Sequence, residues 1–158
     1  MNADALDAAL WEFCTDIYAE PGVAAACLAL QDEAGADVTL LLAALWSAVE
    51  GPGLLQGAEL DALDRAVAPW RDNVVQPLRQ VRRWTKAALH HHDPMRDELK
   101  ALELCAERRA LAKIAAWLER APPLPAAGPD EAMAAFARWL GCDVAALEPL
   151  TAAYLRSR

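Results

Sequence analysis

Apolar residues recur every three to four positions along almost the whole chain. This spacing places them on one face of an α-helix, and no segment alternates apolar and polar residues as a half-buried strand does. The apolar run at 38–49 is 12 residues long, well short of the roughly 20 that span a bilayer. We therefore predict an all-α protein without a membrane segment. The expected architecture is an irregular helical bundle of about six to eight helices with a small C-terminal helical hairpin.

Glycine, proline and aspartate mark the ends of the predicted helices. A first helix from Asp4 to Ala19 ends before Pro21, and a second ends at Gly35, which suits a left-handed position after a helix. Asp37 is placed to cap the third helix, because its carboxylate can accept hydrogen bonds from the first free backbone N–H groups. The third helix is apolar almost all round, so we expect it at the centre of the bundle.

Two prolines lie in the middle of the chain. Pro69 and Pro77 lack a backbone N–H, so we predict a kinked or broken pair of helices over residues 58–92. A longer helix is predicted from Asp93 to Arg120. Its core-facing seam is expected to consist of Leu104, Leu111, Ile114 and Leu118.

A proline-rich segment divides the chain. Residues 121–129 contain four prolines, which favour extended backbone and prevent a helix from continuing. We predict a helical core domain over 1–120, a linker over 121–129 and a C-terminal helical appendage over 130–158. The sequence leaves open whether the appendage packs on the core.

Charge is distributed unevenly. Residues 1–64 contain twelve acidic side chains and no Lys or Arg, whereas residues 65–120 contain twelve basic and seven acidic ones. Opposite charges attract when a chain collapses, so one interpretation is that the two segments face each other within the fold. The other is that the basic segment contacts an anion or an acidic partner outside the chain.

A basic stripe, Arg79, Arg82, Arg83 and Lys86, has the spacing of one helix face. Such close like charges repel and need compensation from carboxylates of the same chain, from a partner protein or from an anionic ligand. Trp84 lies beside the stripe, and tryptophan is common at protein interfaces. We favour a non-enzymatic interaction or regulatory protein that docks this stripe onto an acidic protein partner or onto a second copy of itself. Nucleic acid is a poor fit, because the net charge is −8.

A pair of carboxylates suggests an alternative function. Gln31, Asp32 and Asp37 flank the turn between the second and third helices. Carboxylates can hold phosphate oxygens through a bridging cation such as Mg²⁺. The alternative is therefore a small helical enzyme or carrier that binds an anionic ligand, such as a diphosphate. That ligand would lie between Asp32, Asp37 and the three arginines of the basic stripe.

Other reactive side chains give no site. His90, His91 and His92 are adjacent, and consecutive helical residues point about 100° apart, so we predict surface histidines without a metal. All four cysteines are expected to be small core residues, because Cys14, Cys27 and Cys105 lie on apolar helical faces. No nucleophile has an evident histidine and acid partner, so we predict no catalytic residue and no cofactor, and the sequence leaves open whether the protein is an enzyme.

The cysteines and the N-terminus also bear on location. The four cysteines show no Cys-x-x-Cys spacing, and the first residues carry acids without an early Lys or Arg. A secretory signal begins with basic residues, so none is expected here. We predict a reducing, cytoplasmic location.

Two blocks of sequence resemble a known family. The first contains Leu10-Trp11-Glu12-Phe13, Pro21-Gly22-Val23, Cys27-Leu28-Ala29-Leu30-Gln31-Asp32 and Gly35-Ala36-Asp37-Val38, and the second contains Trp70-Arg71, Pro77-Leu78-Arg79 and Arg82-Arg83. In this order they resemble a family of short, uncharacterised proteobacterial proteins that form a domain of unknown function. The resemblance implies a soluble, cytoplasmic bacterial protein, and it implies no activity, cofactor or catalytic residue.

Overall fold

The computed structural model describes residues 2–158, which form eight α-helices and no β-strand. A π-helical turn, Arg71–Val75, joins α4 to α5, and a 3₁₀ turn, Val144–Leu147, precedes α8. The predicted all-α, irregular bundle is confirmed. The helices are α1 Ala3–Ala19, α2 Val23–Ala34, α3 Val38–Val49, α4 Gly57–Trp70, α5 Gln76–Ala88, α6 Pro94–Glu119, α7 Pro129–Leu140 and α8 Glu148–Arg156.

Helix α3 lies at the centre. Every residue from Leu40 to Ala48 is buried, and α3 contacts α1, α6 and α7. Asp37 fixes its start, because Oδ1 accepts hydrogen bonds from the backbone N–H of Thr39 at 3.0 Å and of Leu40 at 3.3 Å. Gly35 has a φ of +66° at the end of α2. The predicted boundary between α2 and α3 is therefore confirmed at both residues.

The interruption predicted for residues 58–92 takes the form of the π-helical turn. The backbone stays helical from α4 through α5 and leaves the helix after Ala88. Pro69 and Pro77 cannot donate backbone hydrogen bonds. Between them the N–H of Gln76 donates to the carbonyl of Arg71, five residues earlier, which is the π pattern. The prolines are thus accommodated by a change in helical winding.

Helices α1 and α6 share the most extensive helix–helix contact in the described part of the chain. Arg108 of α6 forms an ion pair with Asp7 of α1, in which Nη2 lies 2.6 Å from Oδ2. This pair joins the basic segment to the acidic one, as the first interpretation of the charge distribution predicts. Leu111, Ile114 and Leu118 of the predicted seam are buried.

Two predicted core residues of α6 lie outside the core. Leu104 is 53% exposed, and Cys105 is exposed as well. Helix α5 covers α6 on the side of Glu103, which is buried. Leu104 and Cys105, the next two residues, point about 100° and 200° away from Glu103 around the helix axis, so they point away from α5. The predicted seam therefore begins at Leu111, and the core position predicted for Cys105 is wrong.

The C-terminal helices pack on the rest of the bundle. Helix α7 contacts α3 and α4, and α8 contacts α2. Phe136, Leu147 and Leu150 are fully buried in the same hydrophobic core as α1 and α3. Residues 122–128 contain no helix, and there the carbonyl of Pro125 accepts a hydrogen bond from the N–H of Leu54 at 2.8 Å. The question that the sequence left open is thus answered, because α7 and α8 do pack on the core.

None of the helices within residues 2–158 is by itself both long enough and apolar enough to cross a membrane, although α1 and α2, which meet at a bend of 98°, pass such a test when counted together.

Candidate ligand cavity

A cavity of about 460 Å³, here called the ligand cavity, lies between α1, α3 and α6. Its volume is in the range of small-molecule sites in proteins. Small side chains on one face of α1 leave the space open, namely Cys14, Thr15 and Ala19. Tyr18 and Leu104 line the cavity and are about half exposed, so they mark its opening to solvent.

The wall of the ligand cavity is mainly apolar. It is formed by side chains from three helices: Trp11 of α1, Val38 and Leu42 of α3, and Leu104 and Leu111 of α6. Trp11 also carries the guanidinium of Arg108 on its ring face, 5.0 Å from the ring centroid. That contact holds the indole ring against the body of the protein.

Arg79 of α5 brings a polar group to this apolar wall. Its Nε donates to Oε1 of Glu103 at 3.1 Å, and its Nη2 donates to Oε1 of Glu107 at 2.9 Å. With its amide oxygen turned toward the guanidinium, Gln31 of α2 accepts hydrogen bonds from Arg79 as well. The Arg79 side chain is 11% exposed. Two carboxylates and one amide therefore compensate a guanidinium that is almost buried.

Glu103 is the buried centre of the contact between α5 and α6. It accepts hydrogen bonds from Arg79 and from Nε of Arg82. Burial alone would raise the pKa of Glu103, but the hydrogen bonds from the two arginines outweigh it, and the pKa is lowered. A carboxylate with two guanidinium partners is thus held in its charged form.

Glu107 is in a different electrostatic position. Burial raises its pKa, and the single hydrogen bond from Arg79 does not fully offset that effect. Only Oε1 of Glu107 has a hydrogen-bond partner among residues 2–158. Burial likewise raises the pKa of Tyr18, whose hydroxyl is near enough for the charges of Glu107 and Arg79 to act on it. Glu107 and Tyr18 therefore face the cavity with hydrogen-bonding capacity that the protein does not use.

A second ionic cluster lies next to the polar end of the cavity, which is the part of the wall formed by Gln31, Arg79 and Glu107. Arg71 of the π turn forms ion pairs with Asp64 and Asp72, and its Nη1 lies 3.4 Å from Oδ2 of Asp37. Burial alone would lower the pKa of Arg71, but hydrogen bonds to Asp64 and Asp72 raise it. Thr39 and Arg79 line both the ligand cavity and a small space of about 10 Å³ beside this cluster. The two ionic groups are therefore neighbours.

The structure separates the residues that the sequence grouped into one site. Gln31 and Arg79 line the ligand cavity, and Asp37 caps α3 and pairs with Arg71. Asp32 forms an ion pair with Arg83 at 3.1 Å, and both side chains are about half exposed.

Within the rest of the basic stripe, Arg82 lies at the contact between α5 and α6, whereas Lys86 and the neighbouring Trp84 lie on the outer side of α5. Arg82 pairs with Glu103. Lys86 is exposed and has no ion pair among residues 2–158, and Trp84 is 71% exposed. Three members of the stripe are therefore paired within the protein.

Sequence reasoning missed the glutamates of α6. Glu103 and Glu107 lie four residues apart on α6, and Arg79 and Arg82, which pair with them, lie three residues apart on α5, so each pair lies on one helix face. An acidic pair that matches a basic pair on the preceding helix was the available signal. The three histidines lie between α5 and α6 and are exposed. Within residues 2–158, no group of three His, Cys, Asp or Glu side chains is arranged to hold a metal ion.

Comparison with known families finds a match, and it covers the whole ligand cavity. Residues 9–114, more than half of the chain, match the family described as "Protein of unknown function (DUF2390)". The chain belongs to this family. Every side chain that lines the ligand cavity lies between Trp11 and Leu111, inside the DUF2390 segment, whereas α7 and α8 lie outside it. No curated protein and no solved structure shows a significant match to the chain.

Proposed function

We propose that the protein binds a small, largely apolar molecule in the ligand cavity, as a carrier or sensor in the bacterial cytoplasm. The observation that supports this is a 460 Å³ space with an apolar wall and a few convergent polar groups. That combination is typical of small-molecule sites. The cytoplasmic location follows from the cysteine pattern given above and stays a prediction.

The packing of the bundle supports a ligand. The cavity opens to solvent, and the exposed residues Thr15 and Ala19 border it, so its apolar wall is in contact with water when the cavity holds no ligand. Leu111 and Leu42 form the inner part of this wall. An apolar occupant would remove this apolar surface from water, which is the main favourable contribution to such binding.

The proposal is tested with 1-aminoanthracene, a neutral apolar fluorophore, titrated into the full chain. We expect saturable binding of one molecule per chain. Ala19→Phe should weaken binding about tenfold or more, because Ala19 is an exposed residue at the mouth of the cavity and the added ring narrows the opening. Ala8→Phe is the matched control, since Ala8 is an exposed residue of the same helix and does not line the cavity.

Two outcomes would overturn the proposal. One is the absence of saturable binding to the folded wild-type protein. The other is equal affinity in the Ala19→Phe and Ala8→Phe variants, because the fluorophore would then bind elsewhere. Circular dichroism of both variants checks that the helices are intact.

A second function, docking to an acidic protein, is favoured by the outer side of α5. Trp84 is 71% exposed and Val81 44% exposed, and exposed Lys86 and half-exposed Arg83 lie on the same helix. Large exposed aromatic side chains beside cations fit a partner that presents carboxylates around an apolar centre. The partner we propose is therefore an acidic protein surface.

The docking proposal is tested by affinity capture from bacterial lysate with quantitative mass spectrometry. A specific acidic protein should be lost with Trp84→Ala and with Lys86→Glu, and retained with Leu155→Ala, which removes another exposed apolar side chain. Sedimentation velocity detects the case in which the occupant is a second copy. Equal capture by all variants contradicts docking through α5.

A further inference from the structure

This inference rests on the proposed function and names the chemistry of its ligand. The polar groups of the ligand cavity cluster at one end, because Arg79 hydrogen-bonds both Glu107 and Gln31 and shares the small neighbouring space with Thr39. Apolar side chains such as Trp11 and Leu42 form the remaining wall. A molecule that fits this arrangement has an apolar body and one polar head group.

The charges at the polar end are already balanced. Arg79 is the one basic side chain that lines the cavity within residues 2–158, and its guanidinium donates to two carboxylates and an amide. Arg82, the next cation along α5, is paired with Glu103. An entering anion would meet no uncompensated positive charge and would lie beside the carboxylate of Glu107. Both conditions disfavour binding of an anion.

The unused hydrogen-bonding groups favour a neutral head group. Oε2 of Glu107 can accept a hydrogen bond from a hydroxyl, and the Tyr18 hydroxyl can donate one. Neither group has a hydrogen-bond partner among the described residues. Because burial raises the pKa of Glu107, its carboxyl takes up a proton more readily than an exposed one does and can then donate to a carbonyl.

We infer that the ligand cavity selects an apolar molecule with a neutral hydroxyl or carbonyl head group, and that it discriminates against the same molecule with a phosphate head. The selection is made by the Arg79–Glu107 pair, which offers hydrogen bonds without net charge. This inference differs from the alternative given in the sequence analysis, which expects an anionic ligand such as a diphosphate. Stronger binding of the phosphate probe in the test below would favour that alternative.

The test uses probes that differ only in the head group. Decan-1-ol and decyl phosphate compete with 1-aminoanthracene for the full-length wild-type protein at concentrations below micelle formation. We expect decan-1-ol to displace the fluorophore with an affinity about tenfold or more above that of decyl phosphate. Equal or stronger displacement by decyl phosphate would overturn the inference.

A variant isolates the role of the ion pair. Glu107→Gln removes the negative charge, keeps a hydrogen-bonding group of the same shape and leaves Arg79 with excess positive charge at the cavity. The preference for decan-1-ol over decyl phosphate should therefore fall about tenfold in this variant, and it should be unchanged in Glu98→Gln, a change at an exposed residue of the same helix. An unchanged preference in Glu107→Gln would contradict selection by this pair.

The two proposals fail in different ways. If 1-aminoanthracene does not bind, the proposed function fails before the head groups are compared. If it binds in the cavity and decyl phosphate displaces it better than decan-1-ol, the binding function stands and only the inferred ligand chemistry falls.

Discussion

Arg79 and Arg83 lie one helical turn apart on α5, yet the side chain of Arg79 is 11% exposed and that of Arg83 is 50% exposed. Arg79 reaches inward to two glutamates of α6, whereas Arg83 meets Asp32 in solvent. The two ion pairs therefore contribute differently to the free energy of unfolding. Solvent screens the exposed pair of Arg83, whereas a buried carboxylate such as that of Glu103 needs a cationic partner to remain charged.

The first prediction compares these two arginines. Arg79→Met should lower the free energy of unfolding by about 2 kcal/mol. This loss is smaller than the loss expected when a buried carboxylate has no remaining partner, because Glu103 still pairs with Arg82 in the variant. Arg83→Met should change it by less than about 1 kcal/mol. Urea titration followed by circular dichroism measures both. Equal losses in the two variants would contradict the difference in burial.

The second prediction concerns pH. The pKa of Glu103 is lower in the folded protein than in the unfolded chain, so its charged form stabilises the fold above the unfolded pKa of about 4.3. This contribution is lost as the pH falls through the folded pKa. Glu103→Gln should therefore be less stable than wild type at pH 7, and the difference should shrink below about pH 4. Urea titrations at several pH values test this, and a constant difference would rule it out.

The third prediction concerns the contact between the α3–α4 loop and the proline-rich segment. Gly53 has a φ of +136°, and a Cβ there would lie 2.7 Å from Cβ of Leu124 and 2.8 Å from the carbonyl oxygen of Pro125. Gly53→Ala should therefore destabilise the protein by more than about 1 kcal/mol. Gly57→Ala, which meets open space, is the control. A thermal melt should separate the two variants, and identical midpoints would argue against the close approach.

The fourth prediction concerns the cysteines. Burial raises the pKa of Cys14 to about 12 and that of Cys27 to about 11, and the thiolate is the form that reacts. N-ethylmaleimide at neutral pH should therefore modify exposed Cys105 first, and the two buried cysteines much more slowly until the protein is unfolded in urea. Peptide mass spectrometry follows each site. Labelling of Cys14 as fast as Cys105 in the folded protein would contradict the prediction.

Local signals were enough to predict the helices. Gly35, Asp37 and Asp93 end or cap helices through contacts with residues only a few positions away, so a short stretch of sequence determines them. The bounds of α1, α3 and α6 therefore agree with the sequence to within a residue or two.

The cavity could not be predicted in the same way. The partners of Arg79 lie 24 and 28 residues further along the chain. Which α6 residues face Arg79 depends on how α5 and α6 are aligned, and periodicity within one helix carries no information on that alignment. The space itself is bordered by small side chains of α1 and by leucines of α6. It therefore depends on how two helices pack together, which the pattern within one helix does not predict.

The π turn between α4 and α5 sets the rotational phase of every side chain that follows it. A π turn holds one residue more than an α-helical turn, and one residue corresponds to about 100° around the helix axis. Loss of a single codon within 71–75 would let the segment wind as an α-helix and turn Arg79 away from Glu103 and Glu107. A one-residue deletion would therefore replace the polar residues at one end of the cavity in a single mutational step. The apolar walls, which α1, α3 and α6 supply, would stay the same.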